Sequence, residues 1–110
     1  MKGEEHLTKP EQFTQVYKNG CTQADRLLVL KALPNKLDYS RFGISVSKHV
    51  GKAVVRNRIK RRIRAILKSG PLSSGWDIVI IARNPAAESD FQLLEKSLKG
   101  LLNRAHLVAK

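Results

Sequence analysis

A chain of 110 residues is long enough for one hydrophobic core and too short for two, so residues 1–110 read as a single domain. Its 42% apolar content argues against a disordered tail, and 21 basic against 9 acidic residues give a net charge of +12, which points to a polyanionic partner. The single cysteine, Cys21, excludes an intrachain disulfide and any cysteine-rich zinc site.

In chain order, the first predicted element is a helix. Thr8 is its expected N-cap, with Pro10 in the first turn and Glu11 at the capping-box position. It should run to about Lys18 and stop at Asn19-Gly20. Phe13, Val16 and Tyr17 share one of its faces. A short strand near Cys21 and a longer one from Leu27 to Leu33 follow, the latter ending at Pro34-Asn35. From Arg41 to Ser47 the chain alternates: Phe42, Ile44 and Val46 point one way, Gly43, Ser45 and Ser47 the other.

Between Asp38 and Asp77 lie ten Lys and Arg residues and no acid. The densest part, from about Ala53 to Lys68, has helical spacing. At roughly 100° per residue, Val55, Ile59, Ile63, Ile66 and Leu67 form one apolar stripe. Arg58, Lys60, Arg61, Arg62, Arg64 and Lys68 occupy most of the remaining circumference. Gly70-Pro71 should end this helix. Trp76 to Ala82 is apolar on both faces, as a central strand is. A last helix from about Ser89 to Arg104 should turn Phe91, Leu94, Leu98, Leu101 and Leu102 inward. The expected fold is α+β, a two-layer sandwich of one mostly antiparallel sheet with packed helices, in the order α-β-β-β-α-β-α.

Nothing in the pattern reads as a catalyst. A two-metal nuclease needs several carboxylates converging on one cleft, whereas the nine acids are scattered over termini, turns and helix surfaces. The nearest pair, Glu88 and Asp90, sits where acids simply favour a helix dipole. His6, His49 and His106 have no partner pattern, so no catalytic residue and no metal ligand are assigned. The basic helix instead suits a phosphate backbone. Guanidinium forks grip phosphate in bidentate fashion, and Asn57 can donate and accept. Arg56 is expected beside the apolar stripe and Arg58 across from it, with both heads exposed. A solvated charged face would normally mix signs, and this one does not. A membrane partner is disfavoured because the helix has no Trp or Phe to insert. With no signal segment and no run of roughly 20 apolar residues, the expected location is the cytoplasm.

Arg41-Phe-Gly-Ile-Ser-Val-Ser-Lys48, Gly51 and Ala53-Val-Val-Arg-Asn-Arg-Ile-Lys-Arg-Arg-Ile-Arg64 together resemble the signature of the bacterial ribonuclease P protein subunit. Its centre is Arg56-Asn57-Arg58 followed by Lys60-Arg61. Phe13-Thr-Gln-Val-Tyr17, and Asp77-Ile-Val-Ile-Ile-Ala-Arg83 before Pro85, agree in order and spacing. The resemblance spans roughly residues 7 to 104. It implies a protein cofactor for a catalytic RNA, which with its Mg2+ removes the 5′ leader of precursor tRNA. It also implies a left-handed β-α-β crossover around the basic helix, against the usual right-handed rule.

On this resemblance, Lys52, Arg56, Asn57, Arg58, Lys60, Arg61, Arg62 and Arg64 bind the RNA subunit. Phe13, Tyr17, Arg26, Gly43, Ser45, Ser47, Lys48 and Arg83 line a cleft for the leader. From the residues alone, Phe13 and Tyr17 could equally be core, and the small face of the 41–47 strand a plain solvent edge. A ribosomal or other structural RNA binder of similar fold is the alternative function. A self-sufficient nuclease and a helix-turn-helix DNA binder fit less well. No obligate protein partner is expected.

Overall fold

A computed structural model describes residues 5–70 and 72–108 of the chain. The elements are β1 (Glu5–His6), α1 (Pro10–Asn19), β2 (Cys21–Ala24), β3 (Leu28–Pro34), β4 (Arg41–Ser45), α2 (Ala53–Lys68), β5 (Trp76–Ala82), a 3-10 helix (Asn84–Glu88) and α3 (Phe91–Arg104). This is the expected α+β order, extended by the two-residue β1 and the 3-10 helix.

The sheet is mixed, with order β1-β4-β5-β3-β2. Its longest pairing, β3 with β5, is antiparallel, as is β2 with β3. β4 pairs parallel to β5 and to β1, so α2 is the crossover between two neighbouring parallel strands. β5, paired on both edges, carries the two-sided apolar pattern foreseen for it.

Side-chain alternation sends the strands' residues to two separate cores. Leu28, Leu30, Ala32, Phe42, Ile78, Ile80 and Ala82 pack with Ile59, Ile63, Ile66 and Leu67 of α2 and with Leu94, Leu98, Leu101 and Leu102 of α3. On the opposite face α1 lies over the sheet, and buried Val16 meets Val79 and Leu7, with Phe13, Leu33 and Ile81 around them. Burial of one such aliphatic side chain stabilises by about 1.5–3 kcal/mol, so the α2 stripe alone fixes that helix on the sheet.

Several local expectations are corrected. The N-cap of α1 is Lys9, not Thr8. The Gln12 side chain accepts from the Thr8 and Lys9 amides at 2.8 and 3.0 Å, doing the work assigned to Glu11. Gly20 ends α1 with φ −78°, so no left-handed cap is involved. Glycine is needed there because a Cβ would sit 2.6 Å from the Val16 carbonyl oxygen and 3.0 Å from that of Ala32. β3 starts one residue late because the Asp25 carboxylate takes the Leu27 and Leu28 amides, each at 2.9 Å.

α2 keeps its expected bounds and ends at a Ser69 cap; Pro71 lies outside the described residues. α3 starts at Phe91 because Asn84–Glu88 forms its own short helix and Asp90 caps α3 through the Leu93 amide at 2.8 Å. Phe91, expected inside, is 37% exposed, and Ser97 is buried on the inner face instead.

Candidate nucleic-acid interface

With its stripe on the core, α2 turns three rows of side chains away from it. Asn57, Arg61, Arg64, Ala65 and Lys68 are exposed, and Val54 at the same outer edge is 76% exposed. Lys52 stands exposed at the N-cap with no side-chain cap bond, and the first turn holds no acid. Those free amides and the helix dipole favour an anion.

The flanking rows are tethered. Arg56 Nε donates to the Gly51 carbonyl at 3.1 Å. Arg58 Nη2 donates to the Ala87 carbonyl at 3.3 Å, and Arg62 Nη1 to that of Ser89 at 3.2 Å. Arg56, Arg58, Lys60 and Arg62 are half-buried. The expectation of freely exposed heads for Arg56 and Arg58 is thus corrected. The 3-10 helix, which helical and strand periodicity does not announce, fills the space beside that edge of α2. Arg58 Nε is buried there without an acceptor among the described residues.

The second surface lies on the α1 face of the sheet. Phe13 is seated directly on Gly43: a Cβ at Gly43 would come within 2.6 Å of the Phe13 Cζ. Gly43 therefore serves as the floor beneath an aromatic ring and is itself covered. One turn on, Tyr17 is 42% exposed, its ring centroid 6.5 Å from that of Phe13 at a 46° tilt. The register places Ser45, Ile81 and Val29 in one row across β4, β5 and β3, and Gly43, Val79 and Lys31 in the next. Val29, Lys31, Ser45 and Ile81 are half-buried, and Lys31 Nζ donates to the Thr22 hydroxyl at 2.9 Å.

The sequence reading did not single out Val29, Lys31 and Ile81, although the alternation within β3 carried the signal for the first two. Ser47 and Lys48 are exposed just beyond the end of β4. Arg83, exposed past β5, donates to the Asp25 carbonyl at 2.8 Å. Arg26 is not brought to this face; it lines a separate depression with Pro85, Glu88, Ser89 and Leu93.

Two carboxylates hold the scaffold. Arg41 makes a bidentate pair with buried Asp77, Nε to Oδ1 at 2.8 Å and Nη2 to Oδ2 at 2.7 Å, and Asn35 adds a third donor at 2.9 Å. Asp25 ties the β2–β3 turn to α3 by accepting from the Ser97 hydroxyl at 2.6 Å. Burial pushes its pKa up, but the bonds from Ser97, Leu28 and Leu27 and the nearby Arg104 charge outweigh that and hold it below the usual Asp value. Among the described residues no three His, Cys, Asp or Glu side chains gather as a metal site, and no helix is long and apolar enough to cross a membrane.

The family model described as Ribonuclease P matches residues 1–106. The ribonuclease P protein component of Dehalococcoides mccartyi is 44% identical, across 100% of this chain and 92% of the relative. That of Caldanaerobacter subterraneus is 43% identical, over 92% of this chain and 89% of the relative. Among solved structures, the Staphylococcus aureus RNase P protein superposes with a TM-score of 0.86 at 39% identity, covering 94% of this chain and 97% of that one. The Thermotoga maritima RNase P protein gives 0.81 at 34% identity, covering 91% and 96%. Matches of this extent leave no place for the ribosomal-protein alternative. The chain belongs to the ribonuclease P protein family, the RNA-binding protein component of a tRNA 5′-processing endoribonuclease.

Proposed function

We propose that the chain works with two surfaces at once. The outer rows of α2, with Lys52, bind the catalytic RNA subunit, and the α1 face of the sheet holds the unpaired 5′ leader of precursor tRNA. The observation that carries this reading is the separation of the two surfaces by the sheet: α2 packs on one face and Phe13 and Tyr17 stand on the other. A single protein can then contact both RNAs without either displacing the other.

On the leader side, a partly exposed aromatic pair beside Ser45 and Lys31 offers stacking for bases and polar groups for phosphate or 2′-OH. Ser47, Lys48 and Arg83 add hydroxyl and charge at its margin. On the α2 side, Arg56, Asn57, Arg58, Lys60, Arg61, Arg62 and Arg64 supply the cations and one amide. Mg2+ belongs to the RNA subunit in this reading, and the chain's own residues bind and position; the holoenzyme works in the cytoplasm.

Cleavage of precursor tRNA by the RNA subunit at low magnesium, with and without the protein, tests this directly. The protein should stimulate 5′ cleavage and raise affinity for precursor over mature tRNA. Stimulation that is equal for substrates with and without a leader would overturn the leader surface.

A further inference from the structure

The depression that holds Arg26 is continuous with the basic helix. Its volume is about 150 Å³, and Pro85, Glu88, Ser89 and Leu93 complete its lining. Arg58 and Arg62 of α2 reach across to the carbonyls of Ala87 and Ser89, so the edge of α2 and the wall of the depression form one surface. One large apolar side chain of the lining, Leu93, stays 51% exposed on a highly charged protein.

We infer that this depression takes one unpaired base of the RNA subunit, extending the α2 contact across the 3-10 helix onto the start of α3. The inference rests on the assignment of α2 to the RNA subunit. Three features select this occupant. Pro85 and Leu93 offer apolar walls that suit the flat face of a base, and the volume suits one base rather than a helix. Glu88 repels a phosphate inside the depression but accepts hydrogen bonds from an exocyclic amino group, so a base bearing one fits best. Arg26 at the rim, with Arg58 and Arg62 behind it, meets the flanking phosphates. A base stacked in A-form duplex cannot enter, which restricts the site to a loop, bulge or end. The RNA subunit is favoured over the precursor leader because Phe13 lies on the opposite face of the sheet from α2 and α3.

Photo-crosslinking in the assembled holoenzyme tests the site, with p-benzoylphenylalanine in place of Leu93 and, in a second protein, in place of Arg61. The expected result is a product with the RNA subunit from both positions, mapping at 93 to an unpaired nucleotide. A product at 61 and none at 93, or a product at 93 with precursor tRNA, overturns the depression alone. No product at either position overturns the α2 surface and the depression with it.

Affinity for the RNA subunit provides the second reading. Leu93→Ser should weaken it about fivefold, the effect of losing a half-exposed leucine contact, while lowering the melting temperature by no more than about 4 °C. Glu88→Gln, which keeps an acceptor, should weaken it less than Glu88→Ala. Unchanged affinity in both Leu93→Ser and Glu88→Ala overturns the proposal.

Discussion

Arg58 and Arg61 sit three residues apart on α2 and should fail in different ways. Arg61 is exposed, and among the described residues its side chain has no partner. Arg58 donates to Ala87 at 3.3 Å and buries an Nε–H that finds no acceptor among the described residues. That bond lies beyond the usual 2.7–3.2 Å range, so it contributes little, roughly 0.5–1 kcal/mol, and the orphaned N–H costs about 1–3 kcal/mol. The polar terms therefore offset or slightly disfavour the arginine. What Arg58→Ala removes is the packing of a half-buried three-carbon stem, worth about 1 kcal/mol. In a domain of this size that is roughly 4 °C in Tm. Arg58→Met keeps the stem and should restore most of that loss. Arg61→Ala should leave stability within about 0.5 kcal/mol. For RNA-subunit binding, Arg58→Ala and Arg58→Met should lose equally, because both lack the charge, and Arg61→Ala should lose about 1.5–3 kcal/mol. Urea melts and filter binding at one fixed salt concentration measure both quantities. A stable Arg58→Ala, or an Arg58→Met as unstable as Arg58→Ala, would refute the packing argument.

Three further outcomes are expected. Tyr17→Ala should cost about 1–3 kcal/mol in affinity for precursor tRNA and nothing for mature tRNA; a purely structural tyrosine would instead lower Tm and affect both substrates alike. Gly43→Ala pushes a methyl into the Phe13 ring, so stability should fall by about 1–3 kcal/mol together with the preference for precursor, and an unaltered preference would mean that Phe13 takes no part in leader binding. The Asp25 carboxyl has its folded pKa held below the unfolded one, so its contribution is complete above about pH 4 and fades as pH falls through the lowered value. The stability gap between wild type and Asp25→Asn should accordingly narrow below pH 4, and a gap independent of pH in urea melts would contradict the role given to that carboxylate.

What could be read from the sequence follows from which forces have a period. The α2 stripe, the alternation from Phe42 onward and the two-sided β5 repeat at fixed spacing because each buries a face; α2 and β5 stand where expected, and β4 stops at Ser45, two residues short of the expected Ser47. Non-periodic structure was not legible in the same way. Asn84–Glu88 is a single short 3-10 segment with no repeat to detect, and its presence moves the start of α3 and tethers Arg58. Gly43 looked like a small polar-face residue because its reason for being glycine is a ring arriving from α1, thirty residues earlier in the chain. Arg26 joins the leader residues only through the resemblance; the tertiary structure sets it in the depression beside Pro85, Glu88, Ser89 and Leu93.

The tethers on α2 explain how a helix without acids can be both ordered and strongly charged. An arginine fixed by a carboxylate gives up its field along with its freedom, because the pair is close to neutral. Arg56, Arg58 and Arg62 are fixed by backbone carbonyls instead. A carbonyl dipole restrains the guanidinium while leaving its unit charge, and the remaining N–H donors point away from the bond already made. Immobilising a long side chain at an interface costs about 0.5–1.5 kcal/mol, and here part of that ordering is met on folding. The self-repulsion that remains is carried by the two apolar cores and relieved when phosphate binds. By this logic, giving these arginines carboxylate partners within the protein would raise its stability and lower its affinity for RNA.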